Sequence, residues 1–182
     1  MPTYRPPHVP NFRRITRQFA EIAVATVDRE TEAFAEREVV LFQGEIERQV
    51  FPSFRRHPLT EGYIRRKRYA GADRRVMLAT HWYSEHIRVW RWRPPTGGTR
   101  SRGWRVGFHP RVQARDLYGR IREITLNRLA AVHEYGTDDQ RIPPRPHWRP
   151  HLEAMRGRAM TLRQSIRSQI MDEARRRIRW TP

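Results

Sequence analysis

Apolar side chains at Phe12, Ile15, Phe19, Ile22, Val27, Phe34, Leu41, Phe42, Ile46 and Val50 recur at roughly helical intervals along the first fifty residues. No proline interrupts residues 11 to 51, Asn11 is a residue type that caps helices, and Pro52 would end the run. The pattern predicts one long helix over 11–51, with Gly44 as the place where it would bend. Its rise gives a length of about 60 Å. So small a body cannot cover that length, so part of the helix should meet neighbouring subunits or break into two packed helices. A second stripe, Leu152, Met155, Ala159, Leu162, Ile166, Ile170, Ala174 and Ile178, predicts an amphipathic helix over 148–179 with arginine on its other faces. Leu162, Ile166 and Ile170 are expected to be buried, where truncation to Ala costs about 2–5 kcal/mol.

Between these helices the pattern shortens. A short helix is expected at 59–69. Val76-Met77-Leu78 is β-rich, and residues 86–92 alternate apolar with basic side chains. Pro94-Pro95-Thr96-Gly97-Gly98 forms a turn, and residues 104–108 read as the returning strand, which places an antiparallel hairpin in 76–108. Residues 110–122 fit neither period. Residues 124–135 predict a short helix stopped by Gly136, followed by a proline-rich loop over 137–150. The fold class is therefore α+β: a long N-terminal helix, a small antiparallel β-sheet and a long C-terminal amphipathic helix, in one domain over 11–182. Residues 1–10 hold four prolines and read as an extended arm, dispensable for the fold and free to bind a neighbouring protein.

Composition narrows the function. The 182 residues contain no cysteine, which excludes disulfides, thiolate zinc sites and cysteine nucleophiles. Apolar residues make up 37% and charged residues 31%, so the core is modest and the surface large. No apolar run reaches the roughly 20 residues of a membrane helix, and the first residues lack the apolar stretch of a secretory signal. The expectation is a soluble protein made in a cytoplasm, with no membrane partner. The net charge of +18 is unevenly placed: residues 1–50 carry −1 and residues 51–182 carry +19. Such a field attracts polyanions without reading sequence, and it equally suits an acidic protein partner. All but Lys67 of the 37 basic residues are arginine, whose planar fork suits interfaces; a GC-rich coding sequence raises arginine as well.

No catalytic or metal constellation is complete, so no enzyme activity and no cofactor are expected. His147 and His151 stand four apart, on one face of a helix, but no third ligand has a suitable spacing. His133-Glu134 begins like a zincin motif and lacks the second histidine. Asp138-Asp139 sit beside Gly136, where aspartate serves turns. There is no phosphate-binding glycine loop and no nucleophile elbow. The aromatic and basic alternation of residues 86–93 suits either single-stranded nucleic acid or an ordinary half-buried strand.

The most informative segment is Val132-His133-Glu134-Tyr135-Gly136-Thr137, followed by Ile142-Pro143-Pro144-Arg145-Pro146-His147-Trp148-Arg149-Pro150. It reads as a helix end, a glycine stop, a polar loop and a stiff proline-rich segment leading into the last helix. Arg145, held between prolines, is placed to clamp a carboxylate or backbone oxygens, with Glu134 a candidate partner. This pattern resembles the tail-component and tail-completion (neck) family of long-tailed bacteriophages, and is similar to the minor tail protein Z group. The acidic-aromatic-Gly-Thr step and the Ile-Pro-x-Arg-Pro step both match. Pro144 replaces the commoner Ala, His147 stands where Phe is usual, and His81 follows Leu78-Ala79-Thr80 where the family has Gly.

The resemblance implies a structural virion protein, assembled in the host bacterial cytoplasm. It would form a homo-oligomeric ring, a hexamer first and a dodecamer second, at the phage neck or tail end. Its partners would be the head connector or adaptor and the tail terminator or tail-tube proteins, with non-specific DNA contact in the lumen. Glu134, Tyr135, Gly136, Thr137, Pro143, Arg145, Pro146 and Trp148 are the candidate structural or interface residues. The alternative is a basic nucleic-acid-binding protein.

Overall fold

The computed structural model describes residues 12–77, 81–92 and 103–178. The expected arm at 1–10, its Asn11 cap, Leu78-Ala79-Thr80 and the turn at 94–98 lie outside the described residues. The elements run α1 (Phe12–Glu47), α2 (Pro52–Arg56), α3 (Glu61–Tyr69), α4 (Trp82–Glu85), β1 (Arg88–Trp92), β2 (Gly103–Gly107), β3 (Gln113–Arg115), β4 (Ile121–Thr125), α5 (Leu126–Tyr135) and α6 (Trp148–Arg177). The fold is α+β, with its two long helices at the chain's two ends.

α1 is unbroken through Gly44 but stops short of 51. Gln49 takes φ +55, the amide of Gln49 donates to Ile46 O (3.1 Å) and that of Val50 donates to Glu45 O (3.1 Å). These two bonds form a Schellman stop, which usually uses glycine. Gln49 fits because its side-chain amide exchanges two bonds with the backbone of Val76, accepting at 2.9 Å and donating at 3.1 Å. Pro52 then opens α2 at its first turn, where its missing N–H has no partner to lose.

The sheet content differs from the single small sheet expected. β1 and β2 form the predicted antiparallel hairpin, with Val89 opposite Val106 and Trp90 opposite Arg105. A second antiparallel pair, β3–β4, occupies the stretch that fits neither period. It turns on Asp116, whose carboxylate accepts from the amides of Tyr118 (2.9 Å) and Arg120 (3.0 Å), and on Gly119 at φ +76. Val76 and Met77 are in a turn rather than a strand, with the amide of Val76 held by Gln49. α5 begins at Leu126 under a Thr125 cap, so residue 124 belongs to β4 instead.

α6 runs back antiparallel to α1, and its partners fall in reverse order: His151 with Glu45, Arg158 with Glu38, Arg29 with Gln169, Ala174 with Ile22. The core lies where the end of α1 enters the body. Val39, Phe42 and Ile46 pack with Phe51, Phe54, Tyr83, Ile87, Phe108 and Leu126. Among the described residues the far end has only the small cluster of Ile22, Ala174 and Ile178, with Ile15 against it. Leu162, Ile166 and Ile170, expected to be buried, are half-buried. Among the described elements their stripe faces α1, and one helix cannot cover both flanks of another. No described helix is long and apolar enough to cross a membrane.

Candidate functional site

α6 starts inside the protein, and a buried start leaves its first amides without intrahelical acceptors. Glu134, at the end of α5, supplies them. Its carboxylate accepts from the amides of His147 (2.9 Å), Trp148 (3.0 Å) and Arg149 (3.1 Å). The next residue is Pro150, which has no amide hydrogen, and the His151 amide reaches the His147 carbonyl (3.4 Å). Every donor of the first turn is thereby accounted for. The negative charge also sits at the positive end of the helix dipole.

The loop between Glu134 and Trp148 is shaped to make this contact. Gly136 takes φ +80. A Cβ there would lie 2.9 Å from Ile142 O and 3.1 Å from the Pro144 ring, so glycine is required. Thr137 closes the loop, its amide donating to Ile142 O and its hydroxyl accepting from the Ile142 amide, both at 3.0 Å. Pro143 is half-buried against this turn, and the Pro146 carbonyl accepts from the Ser53 hydroxyl at 2.7 Å. Arg145 is buried and clamps backbone oxygens: Nε donates to His57 O (2.6 Å) and Nη2 to Pro58 O (3.3 Å). Glu134 is therefore not its partner; the two residues fasten different ends of the same loop. Tyr135 points outward, 69% exposed.

His147 and Trp148 carry the arrangement into the core. His147 Nδ1 lies 2.9 Å from the Arg145 carbonyl, which can only accept, so Nδ1 bears the hydrogen and Nε2 accepts from the Tyr83 hydroxyl at 2.7 Å. The same hydroxyl accepts from Trp148 Nε1 at 3.0 Å. Burial lowers the His147 pKa; the Arg145 carbonyl and Glu134 pull the other way without prevailing. Burial also raises Tyr83 well above the phenol range. His147 and His151 both lie flat against Phe42, with ring centroids at 6.0 and 4.3 Å.

One turn along α6, His151 Nδ1 meets Glu45 at 2.7 Å, and its Nε2 stands 3.5 Å from Glu38. Glu38 is held by the Arg158 guanidinium at 2.7 and 2.5 Å. This row of acids and bases, buried at Glu38 and His151 and open at Arg158, joins α1 to α6 where the pair leaves the body. Among the described residues no three metal-ligating side chains are grouped to hold an ion.

Beside this knot an open cleft of about 620 Å³ is lined by residues including Tyr63, Lys67, Met77, Leu129 and His133. Lys67 is buried there and donates to Arg75 O at 2.6 Å; burial lowers its pKa to about 8, against the pull of Asp73. His133 is held neutral, with a pKa lowered to about 3 by burial and by the neighbouring His147, Arg145 and Lys67. Asp139 accepts from the Arg141 amide at 3.1 Å and pairs with its guanidinium, as a turn aspartate does.

The structure thus brings Glu134, Gly136, Thr137, Pro143, Arg145, Pro146 and Trp148 together as one closed hydrogen-bonded knot, and leaves Tyr135 at its rim. Phe42 was read as an apolar position of α1, but Tyr83, Ser53 and the Glu45–His151–Glu38–Arg158 row were not legible as partners in the sequence. The four-residue spacing of His147 and His151 marks their shared face, but the residues that meet it lie on α1 and α4. No family model, curated protein or solved structure matches the chain.

Proposed function

We propose that the chain is a structural subunit of a tailed-phage particle, forming a homo-oligomeric ring at the neck or tail end that joins head connector to tail tube. No catalytic step is assigned to it. The observation that carries this reading is the paired-helix arm. Its two helices cover only one flank of each other, and large apolar side chains stand outside the pair: Phe12 is 72% exposed, Val24 57%, Val40 68% and Met160 73%. The reading has a neighbouring copy cover these side chains, and a head-to-tail contact between copies closes into a ring when its rotation closes. The knot adds support of a second kind. The residues that carry the family resemblance hold this fold together, so the motif has a physical reason to recur with the fold.

The test has two arms. Native mass spectrometry and negative-stain microscopy of the purified chain should give a closed ring, with the hexamer expected first. Supplying the chain to a phage that lacks its own copy should restore joined head–tail particles. A strictly monomeric chain that restores nothing would overturn the reading.

A further inference from the structure

We propose that the outward face of α6 is a binding surface for the phosphate backbone of duplex nucleic acid, used without regard to base sequence. The proposal stands apart from the ring reading, because a monomer and a ring would both carry this face.

Residues 154–171 contain no acidic side chain, and Glu153 is the one acid between Arg149 and Arg167. Arg149, Arg156 and Arg163 recur every seven residues, and Arg167 follows one turn later. All four are exposed. The helix rise turns this spacing into a straight ridge about 27 Å long, the length of about eight base pairs. None of the four pairs with a carboxylate among the described residues. The fifth arginine of the stretch, Arg158, is committed to Glu38. Exposed Thr161, Gln164, Ser165 and Ser168 flank the ridge, all able to donate hydrogen bonds to phosphate oxygens.

Glu153, beside Arg149 and Arg156, can offset one of the four charges; the other acids around α6 are committed elsewhere. Glu38 and Glu45 are turned inward to Arg158 and His151, Glu134 caps α6, and Asp172 and Glu173 pair with Arg175, Arg176 and Arg177. A second copy presenting the same arginine ridge would bring like charge to this face. An acidic protein would also satisfy the charge, and arginine itself anchors protein interfaces, but residues 149–177 include no Phe, Trp or Tyr to supply the aromatic anchors that accompany it. A straight row of exposed guanidiniums with small polar neighbours matches a regular line of phosphates instead.

The experiment measures binding of the full chain to a fluorescent random-sequence 20-base-pair duplex between 50 and 300 mM salt. Each phosphate contact contributes about 0.9 to the slope of log affinity against log salt. The combined variant Arg149→Gln, Arg156→Gln, Arg163→Gln, Arg167→Gln should flatten that slope by about 3 to 4 and weaken binding at 100 mM salt at least tenfold. A control with equal charge removed from α2 and α3, Arg55→Gln, Arg56→Gln, Arg65→Gln, Arg68→Gln, should keep most of the slope. These side chains are exposed, so circular dichroism and the thermal midpoint should not change. Three outcomes overturn the proposal: no binding by the unaltered chain, equal loss in both variants, or tighter binding to a polyglutamate of matched charge than to the duplex. Ring formation, read by mass in the same samples, reports separately on the assembly reading.

Discussion

At one end of the long helix pair, α1 and α6 enter a body that surrounds them; at the other, among the described residues, they have only each other. At the body end Phe42 is fully enclosed, with His147, His151, Trp148 and Phe51 rings around it. Glu134, Arg145 and Tyr83 tie backbone groups and rings together there. At the far end the contact is Ile22 against Ala174 and Ile178, one Arg29–Gln169 hydrogen bond at 3.2 Å, and surface ion pairs such as Arg17–Glu21. Exposed pairs of that kind contribute little. Two stretches of the same helices, with similar apolar spacing, thus differ in how tightly they are held. The spacing says which face is apolar; the number of other elements reaching that face decides the stability.

The largest break in this comparison comes from Phe42→Ala. It removes the ring against which both histidines stack, and its expected cost is about 4 kcal/mol in urea unfolding. A cost near 1 kcal/mol would show that the body end is no better packed than the arm.

Glu134→Ala comes next. It strips three amides of their acceptor at a buried helix start, and caps alone are worth about 1 kcal/mol, with more for buried donors left unpaired. A loss of about 3 kcal/mol is expected by the same measurement. Glu134→Gln should recover part of it, since the side-chain oxygen still accepts while the charge is gone. Full stability in Glu134→Ala would show that the α6 start does not depend on the cap.

Acid separates the two regions without any substitution. His133 and His147 are kept neutral by burial, while in the unfolded chain they take a proton near pH 6.5. The unfolded state therefore binds more protons below that value, so stability is complete above about pH 6.5 and declines as pH falls. With His133 lowered to about 3, its share of the loss at pH 5 is about 2 kcal/mol, and His147 adds to it in the same direction. Hydrogen exchange at pH 7 and pH 5 should show amides of α5 and the α6 start losing protection. Those of the arm, which contains neither histidine, should change less. Equal loss along the whole of α6 would remove the distinction.

The same contrast decides what the sequence could disclose. The long helices, the β1–β2 hairpin and the Gly136 stop follow from local signals: periodicity, alternation and a residue that tolerates positive φ. The knot was half legible. Gly136 and the prolines announced a shaped loop, and Arg145 between two of them announced a clamp. Its acceptors, the carbonyls of His57 and Pro58, lie nearly ninety residues away and have no signature, because any residue supplies a carbonyl. The end of α1 was misplaced because Gln49 does the work of a glycine, and only its pairing with Val76 makes that affordable. β3–β4 was missed because three- and five-residue strands joined by an aspartate turn are too short for a period to show.

The smallest effect, and the sharpest test of the comparison, is Ile166→Ala. A core isoleucine would cost about 2–5 kcal/mol on truncation. Ile166 is half-buried on a stripe that, among the described elements, meets α1, so roughly half the transfer free energy is at stake and the neighbouring side chains can close over the gap. The isolated chain should lose about 1 kcal/mol or less. If copies of the chain cover the arm in a ring, the same side chain is buried from a second side there, and the substitution should shift the ring towards smaller species more than it lowers the urea midpoint of the monomer. Measuring both on one preparation tests that difference. A monomer loss above about 2 kcal/mol would place the arm in the same class as the body; an unchanged ring would mean that the stripe faces α1 and nothing else.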